Sequence, residues 1–577
     1  MTELLTASQM RSLEAAAIAS GAVTGLELMQ RAGAGVVEAI FEEWPDLAEG
    51  PHQAVVLCGP GGNGGDGFVV ARLLKEAGWA VEVFLYGDPD RLPPDARVNY
   101  ERWLGMGEVE PLIDNDLANG AAEAIVTRIE KGPTIVVVDA LFGIGLKRGV
   151  GMGLKCLFQW FMMSLWFDKR KFPLVSIDVP SGLCSDSGGD LSGREFGDYE
   201  IFQASLTVTF EYPRQGHFLH EGHEYSGKLV VKKLGLPKRR IESKDLVHLT
   251  DLVWRDGRWP FEMLKKLSGW NKFSHGHALI LSGGVGHGGA ARLAARGSLR
   301  IGAGLVTLGC PPAALIENAA HLNAIMLKRV PDADALAEVL TDARITALCL
   351  GPGMGIGQRE AALLAVALGG PPPPTPPHEG EGSRLGQAAA PANPSLPLPP
   401  VGRGEGRGPK RPTVLDADAL TVLSQNPTLF TMLHKDCILT PHAGEFARLF
   451  PDIAAKLDEP ATKGPAYSKV DATRDAAIRA GCVVLFKGPD TVIADPSGRC
   501  SINSAHYDRA APWLATAGSG DVLAGFIAGL LARGFAPMQA AETAAWLHVE
   551  CARSFGPGLI AEDLPEELPK VLRGLGA

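Results

Sequence analysis

Residues 59–67 read Gly-Pro-Gly-Gly-Asn-Gly-Gly-Asp-Gly, directly after the apolar run 54–58. Gly59, Gly61 and Gly64 satisfy G-x-G-x-x-G, and a glycine-rich turn between a strand and a helix lets backbone N–H groups approach a phosphate. Asn63 and Asp66 change that reading. A carboxylate beside a diphosphate is unfavourable unless a cation or a sugar hydroxyl satisfies it. Two further apolar runs end in polar residues: Asp139, followed by a glycine turn with Lys147 and Arg148, and Asp178, followed by Ser181. Asn, Asp and Ser oxygens converging beyond the carboxyl ends of parallel strands would suit a hard cation and a small ligand. Each alone would serve equally as a helix cap or turn former, so the convergence of three strand ends is the signal.

A second set lies further along. In 514–534 a Gly-Ser-Gly turn opens a long apolar stretch, with Asp521 close behind it. Backbone N–H groups of Ala517, Gly518, Ser519 and Gly520 would form an anion hole, and Asp521 would activate a hydroxyl attacking phosphorus. The plainer reading makes Asp521 a helix-dipole charge. Other strand ends add Gly353 in "GPGMG", Asp416 and Asp418 in "LDADAL", His442 and Glu445 in "TPHAGEF", and Lys487 and Thr491 in "FKGPDT". Polar residues that each follow an apolar strand read as one site. No G-x-x-x-x-G-K-[ST] occurs, so this is not a P-loop enzyme.

The elements that must hold these residues follow from apolar periodicity. Runs at 54–58, 80–86, 134–139, 173–178 and 205–210 alternate with helical stretches such as 68–77, where Val69, Val70, Leu73, Leu74 and Ala77 share a face. Alternating strands and helices predict a parallel sheet covered on both faces. The pattern lapses over 235–275. A second series then runs through 277–284, a helix near 289–302, 305–309, 347–351, 413–417, 437–441, 482–488 and 491–495, and two helices from about 519 and 538 close the chain. A domain boundary is placed near 240. Residues 370–412 are dominated by Pro, Gly and Ala and predict a disordered insertion, with an inert surface loop preferred over a partner-binding P-x-x-P segment.

The 577 residues exceed one ordinary domain. With 46% hydrophobic and 21% charged residues the composition is that of a soluble globular protein, and a net charge of −10 argues against nucleic acid as a partner. The basic stretch 237–240 is too short to change that. Nine cysteines without a C-x-x-C indicate neither a disulfide framework nor a zinc site, and point to reduced thiols in a cytoplasm. The N-terminus is not a signal peptide, and the apolar stretch 156–167 is about half the length that spans a bilayer, so no membrane partner is expected.

Taken together, "GPGGNGGDGFVVAR", "VVDALFGIGLKRG", "IDVPSGL" and "LTVTFEYPRQGHFLHEG" resemble the YjeF N-terminal family of NAD(P)H-hydrate epimerases over roughly residues 1–235. The resemblance implies a Rossmann-like three-layer αβα domain that interconverts R and S hydrates. It implies a potassium ion held by Asn63, Asp139 and Ser181. Gly62, Asn63, Gly64, Gly65 and Asp66, the turn of Gly143, Ile144, Gly145, Leu146, Lys147, Arg148 and Gly149, and Asp178 would bind the hydrate. Asp178 is the candidate acid/base group, because epimerisation requires proton movement. The family motif carries Asn where this chain has Gly62.

"GPGMG", "LDADAL", "TPHAGEF", "FKGPDT", "TAGSGDVLAG" and the stretch 279–309 resemble the ADP-dependent NAD(P)H-hydrate dehydratases, over roughly residues 240–570. That implies a ribokinase-like α/β domain. ADP, with Mg2+, would phosphorylate the hydrate hydroxyl, and elimination of phosphate would restore the dihydronicotinamide. Asp521 would be the base. Lys487, Gly488, Pro489, Asp490 and Thr491 would bind ADP with residues 517–520, and Ala290, Gly353 and His442 would line the hydrate pocket with Asp521. The expected small-molecule partners are NADHX, NADPHX and ADP, and the resemblance implies a homo-oligomer. Two alternatives stay open: a vitamin or sugar kinase of ribokinase-like fold, and an N-terminal domain that binds without catalysing.

Overall fold

The computed structural model describes residues 2–130, 135–167, 173–191, 201–237, 245–251, 261–266, 269–371, 410–459 and 464–577. Most of the proline-rich insertion and the expected boundary near 240 lie outside the described residues. In chain order the strands are β1 (Glu3–Leu4), β2 (Gln53–Cys58), β3 (Ala80–Tyr86), β4 (Val109–Leu112), β5 (Ile135–Ala140), β6 (Leu174–Ile177), β7 (Leu206–Phe210), β8 (Lys228–Lys232), β9 (Val247–Leu249), β10 (His277–Leu281), β11 (Leu305–Cys310), β12 (Met326–Arg329), β13 (Ala347–Leu350), β14 (Thr413–Leu415), β15 (Cys437–Leu439), β16 (Val483–Phe486), β17 (Asp490–Ala494) and β18 (Cys500–Ser504).

The chain divides into two compact units. The first comprises Met1–Glu262, Pro441–Ala515 and Ala541–Leu559. It contains a seven-stranded sheet ordered β4-β3-β2-β5-β6-β7-β8, with every pairing parallel. Apolar residues cover both faces. Ala54, Val56 and Cys58 of β2 pack into one core with the helices Gly25–Glu43 and Gly62–Glu76, while Val55 and Leu57 pack into the other with the helix Met152–Phe167. A fully buried parallel sheet needs continuous apolar strands, as β2 and β5 have, and this is the predicted three-layer arrangement. β2, β3 and β4 run to one side and β5 returns to the other side of β2, so the topological switch lies between β2 and β5. The unit also holds β16, β17 and β18 as an antiparallel meander, with β9 parallel to β18 and β1 antiparallel to β9.

The second unit comprises Met263–Thr440, Thr516–Ala540 and Ile560–Ala577. Its strands are ordered β15-β14-β13-β10-β11-β12, all parallel, with the switch between β10 and β13. The helices Gly289–Arg300 and Ser519–Ala532 pack against each other through small residues. A methyl group on Gly525 would lie 2.1 Å from the Ala294 carbonyl oxygen. The Ser298 hydroxyl donates to the Gly525 carbonyl at 2.7 Å.

Three expectations are corrected. Residues 62–66 are the first turn of the helix Gly62–Glu76 rather than a loop. The chain closes on three helices, Ser519–Ala532, Pro537–Phe555 and Asp563–Leu575, rather than two. The lapse over 235–275 contains β9. The apolar stretch 156–167 lies within the helix Met152–Phe167, whose Leu154, Leu157, Phe158 and Phe161 are core residues. Among the described residues no helix is long and apolar enough to cross a membrane.

Candidate active site

The switch point of the first unit opens into a cavity of about 880 Å³. Its walls come from the turn after β2, from residues 141–148 after β5, from Asp178 after β6 and from Arg214 after β7. Gly59 permits the close approach of the first two. A methyl group there would fall 1.7 Å from the Leu141 carbonyl oxygen. Gly64 lies equally tight against Gly59, whose carbonyl oxygen would be 2.0 Å from an added methyl. At Gly62 a methyl would meet nothing within 4 Å, so this position has room for the asparagine of the family motif. Gly62 and Asn63 are also the first residues of their helix, where N–H groups lack intrahelical acceptors.

Asp178 takes a left-handed backbone conformation, with φ of 66°. Non-glycine residues occupy this region rarely, and an ordered site can hold the strain. Its Oδ1 accepts from the Thr209 hydroxyl at 2.9 Å and from the Arg214 guanidinium at 3.1 Å. Arg214 is 1% exposed, so this ion pair is largely removed from water. Oδ2 is left toward the cavity wall, 3.4 Å from the Ile144 N–H. Behind Asp178 stands buried His217. The Arg214 N–H donates to His217 Nδ1 at 3.2 Å, which puts the proton on Nε2, 3.0 Å from the Asp178 carbonyl oxygen. Burial pushes His217 down to about 4, so the ring is neutral.

Asp139 is fully buried and accepts four hydrogen bonds. Its Oδ1 receives the Ser181 hydroxyl at 2.6 Å and the Leu141 N–H at 3.2 Å; Oδ2 receives the Ser176 hydroxyl at 3.0 Å and the Ser181 N–H at 2.9 Å. Burial raises it to about 6 against the pull of these donors. No cationic side chain is among those partners. Asn63 stands beside Asp178: its side-chain oxygen and Asp178 Oδ2 both lie within about 3.2 Å of a methyl placed on Gly143. The Asn63 amide nitrogen is buried without a partner. One carboxylate with neutral amide and hydroxyl oxygens fits a monovalent hard cation.

Asp66 lines the same cavity, and burial together with the nearby carboxylates of Asp178 and Glu14 pushes it well above the usual carboxylate range. Glu14 and Arg11, from the helix Ala7–Ala19, and Arg214 are cavity residues that the sequence reading did not single out. Arg214 sits in the quoted motif "FEYPRQGH", which was the available signal. Glu14 carried none, since it lies in an ordinary amphipathic helix far from any strand end.

In the second unit, Gly518 caps the helix Ser519–Ala532 in the left-handed conformation, with φ of 87°. A methyl there would meet Leu293 at 2.7 Å and Ala561 at 3.0 Å, and would lie 3.9 Å from Asp521 Oδ2. Asp521 lies in the first turn of this helix. Ala290 begins the helix beside it, and Gly353, with φ of 61°, comes within 3.4 Å of the Ala290 methyl by its own added methyl. The Asp418 carboxylate accepts the Gly355 N–H at 2.8 Å and so holds the "GPGMG" turn. Burial raises the Cys349 thiol at β13 well above its usual value, and the charges of Asp416 and Asp521 add to it.

The remaining expected residues lie in the first unit. His442 caps the helix Ala443–Leu449, its Nδ1 accepting the Gly444 N–H at 3.0 Å. Lys487 Nζ stands 3.6 Å from the Glu445 carboxylate. The Gly488 carbonyl accepts the Thr491 hydroxyl at 2.6 Å. The Asp490 carboxylate is held on both sides, by Lys469 Nζ at 2.6 Å and by the His220 N–H at 3.0 Å. These contacts anchor the turn between β16 and β17.

Residues 25–216 match the family model of the YjeF-related protein N-terminus, and residues 278–369 and 407–572 match that of NAD(P)H-hydrate dehydratase. A bifunctional NAD(P)H-hydrate repair enzyme of Moorella thermoacetica is 33% identical, the match covering 99% of this chain and 97% of the relative. One of Coxiella burnetii is 31% identical, over 98% of each. An NAD(P)H-hydrate epimerase of Roseobacter litoralis is 43% identical over 41% of this chain and 100% of its own length.

Proposed function

Because the chain belongs to the family of bifunctional NAD(P)H-hydrate repair enzymes, we propose that it epimerises the R and S hydrates of NADH and NADPH and dehydrates the S form at the expense of ADP, giving AMP and phosphate. Residues 1–240 would form the epimerase and 241–577 the dehydratase. The observation that carries the reading is the cavity where Asn63, Asp66, Asp178 and the turn 143–148 meet. The whole-length likeness to bifunctional relatives favours it over a kinase joined to a binding module.

At the first site the N–H groups of Gly62 and Asn63, the turn 143–149 and Asp66 would hold the hydrate. Asp178, oriented by Arg214 and Thr209, would take a proton from the hydrated ring carbon's substituent. Asn63, Asp139 and Ser181 would hold potassium, which supplies positive charge beside a buried carboxylate. At the second site Asp521 would deprotonate the hydrate hydroxyl as it attacks the terminal phosphorus of ADP. Residues 517–520 would bind the developing charge with their N–H groups. Hydroxide is a poor leaving group and phosphate a good one, which gives the nucleotide its chemical purpose. Mg2+ would accompany ADP, residues 487–491 would bind it, and Ala290, Gly353 and His442 would line the hydrate pocket. The enzyme would be cytoplasmic and a homo-oligomer, without nucleic acid or membrane as partner.

The test supplies purified protein with mixed R and S NADH hydrate and ADP, and follows dihydronicotinamide absorbance. Conversion of both epimers, faster than spontaneous epimerisation allows, is the expected result. Conversion of the S form alone would reduce the first site to binding. A stable phosphorylated product without NADH would favour the kinase.

A further inference from the structure

The cavity of the first unit holds one carboxyl group with no assigned task. Glu14 lies on the helix Ala7–Ala19, which is fixed at both its start and its flank. The Asp186 carboxylate accepts the Ala7 N–H at 2.7 Å, and Arg11 donates to the Ile144 carbonyl at 3.0 Å. Glu14 follows Arg11 by one turn and lines the same cavity. Among the described residues no hydrogen bond or ion pair reaches its carboxyl, although the side chain is only half exposed at most. A carboxyl without a donor on the wall of a cavity is placed to meet a ligand.

Asp178 offers the contrast. Its Oδ1 carries Thr209 and Arg214, while Glu14 has neither. Burial and the nearby Asp178 charge raise Glu14 to about 6, and Arg214 and Arg11 oppose this. Lys147 and Arg148 from the turn after β5, and Asp66 from the helix Gly62–Glu76, complete the charged lining. Two carboxyls on one cavity wall, one anchored by a hydroxyl and a guanidinium and the other without a hydrogen-bond partner, can divide the acid and base roles.

We propose that Glu14 is the second proton-transfer group of the epimerase site, working with Asp178 across the cavity. The proposal rests on the epimerase reading. The hydrated carbon bears a hydroxyl beside the ring nitrogen. Glu14 gives its proton to the departing hydroxyl, the C–O bond breaks to release water, and the nitrogen lone pair forms the C=N bond. Water then adds to the opposite face, its oxygen forming the new C–O bond as the electron pair returns to nitrogen. The proton it sheds goes to Asp178. One water leaves and one enters, nothing is oxidised or reduced, exchange with solvent protons restores Glu14 and Asp178 before the next turnover, and the reverse reaction runs with the two carboxyls exchanged.

The experiment follows R-to-S conversion without ADP from pH 5 to 8 by separating the epimers, with the uncatalysed rate subtracted at each pH. Full-length wild type, Glu14→Gln, Glu14→Asp and Asp178→Asn are compared in water enriched in heavy oxygen. Glu14→Gln is expected to lower kcat by about 100-fold or more with little change in KM. It should also abolish the fall in rate as pH rises through about 6. Glu14→Asp should recover part of the rate, and inverted product should carry solvent oxygen. Unchanged kcat with the pH limb intact, an effect on KM alone, or retention of the original oxygen would overturn the proposal. If Glu14→Gln does not fold, as judged by thermal melting, a wild-type profile in Glu14→Asp overturns it. If wild type does not epimerise, or Asp178→Asn leaves the rate intact, the epimerase reading itself fails and the proposal falls with it.

Discussion

A few side chains decide what each site can do, and most of them announce themselves by standing just past an apolar strand. Asp139, Asp178, Ser181 and Asp416 were legible for that reason, because a parallel sheet delivers its strand ends to one edge, and Asp521 for the Gly-Ser-Gly turn that opens its helix. Arg214, Glu14 and His217 were not, because their importance depends on partners brought close only by folding. His217 shows how such a group can be tested. Its ring is held neutral between the Arg214 N–H and the Asp178 carbonyl, and burial lowers it from 6.5 to about 4. A histidine depressed by folding contributes stability that is present above its unfolded value and is lost as pH falls toward the folded value. Between pH 7 and pH 5 the wild type should therefore lose about 2 kcal/mol that His217→Gln does not lose. Urea unfolding of both proteins at the two pH values reads this directly. A constant gap between them would show that His217 is not neutral in the fold.

At the scale of elements, the sequence pattern succeeded where strands are buried on both faces and failed at the margins. β2, β5, β10 and β13 are continuous apolar runs, and they sit in the middle of their sheets. β4, β8 and β12 lie at sheet edges, are partly exposed and mix charged or proline residues with apolar ones, so they carry no clean period. The glycine turn at 62–66 was read as a loop because glycine is a poor helix former, yet the helix begins there. Its glycines serve close approach to neighbouring backbone more than flexibility. The same need governs the helix that carries Asp521. Gly525 lets it reach the Ala294 carbonyl, and Gly525→Ala would force the two helices apart. Overpacking of this kind costs about 1–3 kcal/mol. A lower melting temperature with impaired dehydration and intact epimerisation is expected of this variant. Unchanged melting would mean that the helix–helix contact is looser than described.

For the molecule as a whole, two successive strand–helix series were plain in the sequence. Contacts that join distant segments of the first unit were not, because no local pattern encodes them. The Tyr507 hydroxyl donates to the His217 carbonyl at 2.7 Å across 290 positions of sequence, and the His220 N–H meets Asp490. Gly464 reaches the wall of the cavity that holds Asp178. The central claim is that one chain carries two separate activities linked by a freely released intermediate epimer. It is tested most directly by complementation. Asp178→Asn suits the strained backbone at that position, since asparagine tolerates positive φ; Asp521→Ala removes the proposed base of the other site. Each purified variant is given pure R NADH hydrate with ADP, alone and mixed, and NADH formation is followed with the spontaneous rate subtracted. The account predicts negligible NADH from either variant alone and near wild-type conversion from the mixture. NADH from Asp521→Ala alone, or a mixture no better than its parts, would contradict it.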